Sequence, residues 1–335
     1  MELVSIIIPT FHGTENLKRA VDSALAQTWK SIEVIVVDDN GPNDPFRAGT
    51  EDIMARYAKD ERVKYLKHPS NKNGAAARNT GMAAAQGVYI SFLDDDDCYT
   101  ADRIEKCVLC LKEHPECDGV MSSVLQVKGG VCINVAVIQL EEDMKRALML
   151  NKSLMGSGSN LFITQKAAKI VGGFDERFRR HQDTEYMIRF FRSFKIQVIP
   201  EILCVKFTDR VENNPSYVKM YETKMLFFEK FTDDIAMLRE EDQKKFYIHH
   251  YEHLFTTAMV GTNAMHIRKA QACLSRYRKL TAKENLLVFM ACCGNDSITL
   301  LSVIKHIKKA LSLYGNKRKS RSIVSTLSQN VLDVL

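Results

Sequence analysis

An α/β fold with a mostly parallel central sheet flanked by helices, followed by a helical C-terminal extension, is predicted by three observations. The first half of the chain alternates β-branched apolar runs with helix-like runs, the pattern of a sheet with helices on both faces. Polar and acidic clusters follow directly after the apolar runs, where such sheets place their ligands, beyond the carboxyl ends of the strands. From Tyr217 onward the pattern is helical, with no proline after Pro215.

Taken in order, LVSIII (3–8) and IEVIVV (32–37) read as central strands separated by a helix over 15–28. Segments 62–68, 88–93 and 119–127 read as further strands, and 46–60 and 74–87 as helices. Beyond residue 130 the pattern predicts a strand at 131–138, a helix at 141–150 and a Gly/Ser-rich loop entering another strand by 164. A helix at 183–194, a strand at 196–207 and a polar loop over 208–216 follow. The expected division is a domain of residues 1–215 and a helical region of 216–335.

With 45% hydrophobic and 26% charged residues, the 335-residue chain has the composition of a soluble globular protein. Met1 and Glu2 run straight into LVSIIIPT, which lacks a basic leader and is too short to span a bilayer; the expected location is cytoplasmic. Nine cysteines include one C-x-x-C, Cys107 and Cys110, inside a helical pattern without a second pair at zinc spacing, so reduced thiols are expected. The net charge of +6 is unevenly spread. From Phe246 onward 13 Lys and Arg face 4 Asp and Glu, +9, leaving 34 against 37, −3, before it.

The stretch SFLDDDDCYTADRI (91–104) sets Asp94, Asp95, Asp96 and Asp97 in a row after a buried-strand pattern. Adjacent carboxylates repel and raise one another's pKa unless water, a helix N-terminus or a cation offsets them. Capping of a helix that starts near Ala101 by Asp97 or Thr100 would use one or two of these groups. A hard divalent cation accounts for the others, because such ions favour oxygen ligands.

Four stretches in this order, SIIIPTF, IEVIVVDDN, NGAAARNTGMAAAQGVYISFLDDDD and GGFDERFRRHQDTEYMIR, resemble the inverting glycosyltransferases of family 2, which have the GT-A fold, over roughly the first 210 residues. The resemblance implies that Asp96 ligates Mn²⁺ or Mg²⁺, and that Asp94 and Asp95 hold the ribose, sugar hydroxyls or metal-bound water. Asp97 is left to the helix start. Asp39 would accept a hydrogen bond from the nucleotide base, with Pro9, Thr10 and Phe11 as the wall beside it; otherwise Asp38 to Gly41 are simply good turn formers. His12 stands where the family often has Asn. Arg78 would lie near the nucleotide together with Asn73, against the plainer reading of a solvent-facing helix residue. Asp183 keeps the position of the general base, Gln182 replaces the acid usually before it, and Glu185 is the later acid. The plainer reading of Asp183 is a helix cap with Glu185 in the first turn. His181, Arg180 and Glu185 are candidates for the diphosphate or an anionic acceptor, with a solvated basic turn as the alternative for the first two. By resemblance GSGSN (156–160) lines the acceptor side; it lacks the ending of a phosphate-binding P-loop. TDRVENNPS (208–216) reads as a lid over the donor.

The activity so implied is inverting transfer of a hexosyl or N-acetylhexosaminyl group from a nucleotide-diphosphate sugar, UDP-sugar favoured, to an acceptor hydroxyl in surface polysaccharide or capsule synthesis. Family members that build bacterial surface polysaccharide use lipid-diphosphate-linked acceptors at the inner leaflet. The tail suits that setting: Leu300, Val303, Ile304, Ile307 and Leu311 form an apolar stripe flanked by lysines and followed by Lys317, Arg318, Lys319 and Arg321. A helix lying on an anionic membrane and a core-facing helix with a solvated basic face both fit it. A sugar-phosphate nucleotidyltransferase would need an N-terminal Gly-rich loop with Arg, which PTFHGTENLKR does not supply. A non-catalytic nucleotide-sugar binding module would not need Asp183. Basic residues without interleaved aromatics or a known motif speak against nucleic acid.

Overall fold

A computed structural model describes residues 1–13, 15–150, 157–209, 216–261, 263–292 and 329–332. The first strands and helices alternate as β1 (Val4–Thr10), α1 (Glu15–Leu25), β2 (Ile32–Asp38), α2 (Arg47–Ala55), β3 (Val63–Lys67), α3 (Gly74–Ala84) and β4 (Tyr89–Phe92). Then come β5 (Cys98–Tyr99), α4 (Arg103–Glu113), β6 (Gly119–Lys128), β7 (Val131–Ala136), α5 (Met144–Met149), β8 (Phe162–Thr164), α6 (Gln165–Val171), α7 (Gln182–Phe190) and β9 (Ile196–Phe207).

One sheet holds the nine strands of the described residues in the order β3-β2-β1-β4-β8-β6-β9-β5, with β7 on β6. Strand β1 pairs in parallel with β2 and β4, and β2 with β3, as the helical crossovers between these strands allow. The expectation of a mostly parallel sheet holds for this half only. In the other half β8 runs antiparallel to β4 and β6, and β5 antiparallel to β9, while β6 and β9 are parallel. The β6–β7 hairpin turns on Gly129 and Gly130, whose φ values of 57° and 70° are the left-handed pair that a two-residue hairpin needs.

Strands β1 and β2 are buried along their whole length, which explains why they read as continuous apolar runs. Helix α1 covers one face with Leu17, Ala20, Val21 and Ala24. Helix α3 lies on the same sheet through its small residues, and a Cβ at Gly81 would come within 2.3 Å of Ile7 Cγ2. That close approach presses the N-terminus of α3, and Arg78 with it, onto the strand ends.

The chain falls into two compact units. The first comprises Met1–Lys145 with Ser153–Val211 and Lys317–Leu335, and the second Arg146–Lys152 with Glu212–Asn316. The second is helical, with α8 (Tyr217–Lys230), α9 (Thr232–Ala236), α10 (Glu240–Gly261), α11 (Ala264–Ser275) and α12 (Ala282–Cys292). Its core joins Tyr217, Met220, Leu254, Phe255, Ile267 and Leu274. A plain division at 215/216 is therefore corrected at its far end. The short helix Gln329–Leu332 belongs with the first unit, where Val331 is buried among Cys98, Leu125, Val127, Val205 and Phe207. Asn330 Nδ2 donates to Asp102 Oδ2 at 2.9 Å beside it. The tail segment 296–321 lies outside the described residues, as does most of the loop 208–216.

Candidate active site

Strands β1, β2 and β4 end side by side, and their polar continuations meet there. After β2, Asp38 is buried and accepts from Asn40 N–H at 2.9 Å, Asn40 Nδ2 at 2.7 Å and Tyr65 Oη at 2.5 Å. Asp39 is buried as well. His68 Nδ1 lies 2.7 Å from its Oδ1, Lys72 N–H donates to the same oxygen at 2.8 Å, and Asn71 Nδ2 and Asn73 N–H donate to Oδ2 at 3.0 and 2.8 Å. Four donors thus occupy a carboxylate expected to meet a nucleotide base, and a base would reach it only by replacing one of them. Asn73 is likewise engaged, capping α3 through Ala75 N–H and Ala76 N–H while Nδ2 donates to Glu176 O at 2.8 Å.

The first loop supplies a wall. Pro9 and Thr10 are buried at the end of β1, and Phe11 stands 39% exposed beyond them. Phe11 stacks on His12 at 3.8 Å between ring centres, and His12 on Phe46 at 4.2 Å. His12 adopts φ 56°, and its N–H donates to Asn40 Oδ1 at 3.0 Å.

The four acids divide by direction. Asp95 is turned inward, where Thr10 Oγ1 donates to its Oδ2 at 2.6 Å. Asp97 is also inward and does not start a helix: α4 begins at Arg103 with Asp102 before it. Asp97 instead ties the acid run to two distant segments. Ser157 and Ser159 hydroxyls donate to its Oδ2 at 2.7 and 2.6 Å, and Phe207 N–H to its Oδ1 at 3.2 Å. Ser159 Oγ in turn accepts from Asp94 N–H at 2.9 Å, so the described part of the Gly/Ser loop underpins the acids. Burial pushes the Asp97 carboxyl up to about 7, and the charges of Asp94 and Asp96 add to the effect. Asp94 and Asp96 remain part-exposed.

Arg78 connects this run to α7. Its Nη2 donates to Asp94 Oδ1 at 2.5 Å and its Nη1 to Gln182 Oε1 at 2.9 Å. Asp183 follows as the second residue of α7, part-exposed, with Thr184 N–H donating to its Oδ1 at 2.8 Å. The cap position belongs to His181 at φ 59°, not to Asp183. Arg180 and His181 lie part-exposed before the helix. Glu185 is fully buried, gripped by Arg189 at 2.6 and 3.0 Å, and this ion pair replaces the diphosphate or acceptor contact expected of it.

A sequence profile described as Glycosyl transferase family 2 matches residues 5–168, which contain the whole of this strand-end array up to the Gly/Ser loop. The chain carries a family 2 glycosyltransferase domain. A glycosyltransferase of Rickettsia prowazekii is 30% identical over 206 residues, 60% of this chain and 62% of the relative. The Escherichia coli protein WfaP, a UDP-Glc:alpha-D-GlcNAc-diphosphoundecaprenol beta-1,3-glucosyltransferase, is 41% identical over 104 residues, 31% of this chain and 39% of that one. The chain therefore spans less than two thirds of the length of these curated relatives. The fold resembles that of S. aureus TarS 1-349 in complex with UDP-GlcNAc, with a TM-score of 0.53 at 15% identity over 83% of this chain and 89% of that one. It also resembles the mannosyltransferase PcManGT from Pyrobaculum calidifontis in complex with GDP-Man and Mn²⁺, with a TM-score of 0.53 at 17% identity over 94% and 82%.

Within the family 2 domain the acid run suits a hard cation that takes most of its ligands from a substrate and water. Among the described residues no group of three or more His, Cys, Asp or Glu is arranged as a closed metal site. Asp94 and Asp96, alternating with two inward acids, are the part-exposed members of the run, and one or two carboxylates suffice for such an ion.

Several residues around the site escaped the sequence patterns. Arg19 on α1 donates from Nη2 to Asp96 O at 3.0 Å and stacks 3.7 Å over the Phe207 ring. Arg103 is fully buried beneath the Gly/Ser loop and donates to Ser122 Oγ at 2.8 Å and Asn160 O at 2.9 Å. Lys206 sits near the end of β9. A lone lysine in the otherwise apolar LCVKF was the one signal available for any of them.

Proposed function

We propose that the protein transfers a hexosyl or N-acetylhexosaminyl group from a nucleoside-diphosphate sugar, UDP-sugar favoured, to an acceptor hydroxyl with inversion. The observation that carries this reading is Arg78, which bridges Asp94 of the acid run and Gln182 beside Asp183, so that donor-side and acceptor-side carboxylates border one space. Asp94 and Asp96 would hold Mn²⁺ or Mg²⁺, which when bound supplies positive charge for the diphosphate. Asp183 accepts the proton of the acceptor hydroxyl as its oxygen bonds to the anomeric carbon. The bond from that carbon to the β-phosphate oxygen breaks, and its electron pair stays on the phosphate. Pro9, Thr10 and Phe11 border the nucleotide.

The named activity of WfaP supports a UDP-sugar donor and a glycan on a lipid diphosphate as acceptor, in surface polysaccharide synthesis. Such an acceptor would bring the protein to the inner face of a membrane. None of the described helices is long and apolar enough to cross one. The test is to incubate the protein with UDP-glucose, UDP-N-acetylglucosamine and GDP-mannose, each with Mn²⁺, and to follow melting temperature, nucleoside diphosphate release and, with an acceptor, the anomeric configuration of the product by NMR. A donor that raises the melting temperature and yields an inverted product supports the reading. Absence of both binding and release with every donor overturns it, and a retained configuration removes Asp183 as base.

A further inference from the structure

Strand β9 carries Lys206 one position before its end. Its register with β5 pairs Cys98 with Val205 and Tyr99 with Cys204, so one further step sets Asp97 across from Lys206. The Phe207 N–H, donating to Asp97 Oδ1 at 3.2 Å, fastens the two segments at that point. Side chains alternate along a strand. Val205 and Phe207 enter an apolar cluster with Leu125 and Val127, which sends Lys206 to the other face with Cys204.

There the ammonium is part-buried. Burial works to discharge it, but the charges of Asp97, Asp94, Asp183 and Asp96, in that order, outweigh burial and raise its pKa. Among the described residues it forms no hydrogen bond or ion pair with any of them. The neighbouring cations are already committed. Arg78 holds Asp94 and Gln182, and Arg19 holds the Asp96 carbonyl against Phe207. Lys206 is thus a charged group with three donors to give, set among the acids of the donor side and within electrostatic reach of Asp183.

In a sugar nucleotide, what lies between the cation-binding acids and the base is the junction of sugar and diphosphate. We infer that Lys206 donates to the β-phosphate of the nucleoside diphosphate and holds the negative charge that gathers there as the sugar departs. The inference rests on the donor reading above and adds a residue to it. A lysine suits the role as a compact point charge that needs no bidentate geometry.

Calorimetric titration of UDP, UMP, GDP and GMP into the full chain with Mn²⁺ tests it, using wild type, Lys206→Met and Lys206→Arg. Lys206→Met should lose roughly ten- to a hundredfold in affinity for the diphosphate that wild type binds, with the monophosphate changed by less than about twofold. Lys206→Arg should recover most of that loss. Mn²⁺ binding without nucleotide should stay the same or tighten, because a like charge has been removed. Equal affinity of Lys206→Met and wild type for the diphosphate overturns the inference, and so does an equal loss for mono- and diphosphate or a loss of Mn²⁺ binding. If Lys206→Met melts early, Lys206→Gln is subjected to the same comparison and the same criteria. Failure of wild type to bind any nucleoside diphosphate sinks the donor reading itself, and this inference with it.

Discussion

Arg78 Nη1 donates to Gln182 Oε1 at 2.9 Å, joining helix α3 to the first turn of α7 across 104 positions of sequence. The same guanidinium meets Asp94 through Nη2, so a single side chain sets the distance between the acid run and the turn that carries Asp183. The two halves of this contact predict different losses. Gln182→Ala keeps the Arg78–Asp94 ion pair but frees the start of α7; turnover should fall about tenfold with nucleotide affinity nearly unchanged. Arg78→Ala removes both contacts, and nucleotide affinity and turnover should fall together, each by roughly 10 to 10². Steady-state kinetics beside nucleotide titration separates them, and identical profiles for the two variants would contradict the division of roles.

Asp96→Ala should abolish transfer and remove the Mn²⁺-dependent part of the melting shift produced by a sugar nucleotide. A part-exposed residue of the acid run would lose its carboxylate, and the diphosphate charge would remain uncompensated. Asp95→Asn should instead act mainly on stability, because Asp95 is turned inward onto Thr10. Unchanged turnover in Asp96→Ala would reverse this order of importance.

Asp183→Asn keeps size and polarity but cannot take a proton. Turnover should drop by about 10² to 10⁴ while donor affinity stays near normal. Since His181 occupies the cap position of α7, the melting temperature should move little. A large melting loss with proportionate loss of binding would return Asp183 to a structural role.

The helical unit should show an acid-labile step. Arg278 holds the Glu284 carboxyl down at about 2, through contacts of 2.7 and 2.9 Å, with Thr281 N–H adding to the effect. A carboxyl with a folded pKa below its ordinary 4.5 stabilises the fold above that value and loses the contribution as pH falls towards 2. Glu284→Gln should therefore melt earlier than wild type at neutral pH and converge with it near pH 2. Thermal melts followed by circular dichroism across this range check the convergence.

By itself the amino-acid sequence determined the strand–helix alternation of the first half, the placing of polar clusters at strand ends and the presence of an acid run after β4. These are local properties. A buried parallel strand must be apolar throughout, and a ligand site beyond its end must be polar, so both leave an unbroken trace in neighbouring residues. Strand β5, two residues long, and α6, which follows β8 without a break, leave no comparable trace.

Only the tertiary structure decided which acids face outward. Four identical residues in a row carry no directional information, and the division follows from Thr10, Ser157 and Ser159, which draw Asp95 and Asp97 inward from two other segments. The same holds for Glu185, whose partner Arg189 lies one helical turn away and removes it from the site, and for Asp39, whose four donors come from residues 68 to 73. Lys206 joins the array because an antiparallel pairing with a two-residue strand sets it across from Asp97. Val331 returns to the sheet because a single apolar side chain fills a cluster built from β5, β6, β7 and β9. Each of these outcomes depends on long-range pairing, and the energy of such a contact resides in the partner as much as in the residue itself.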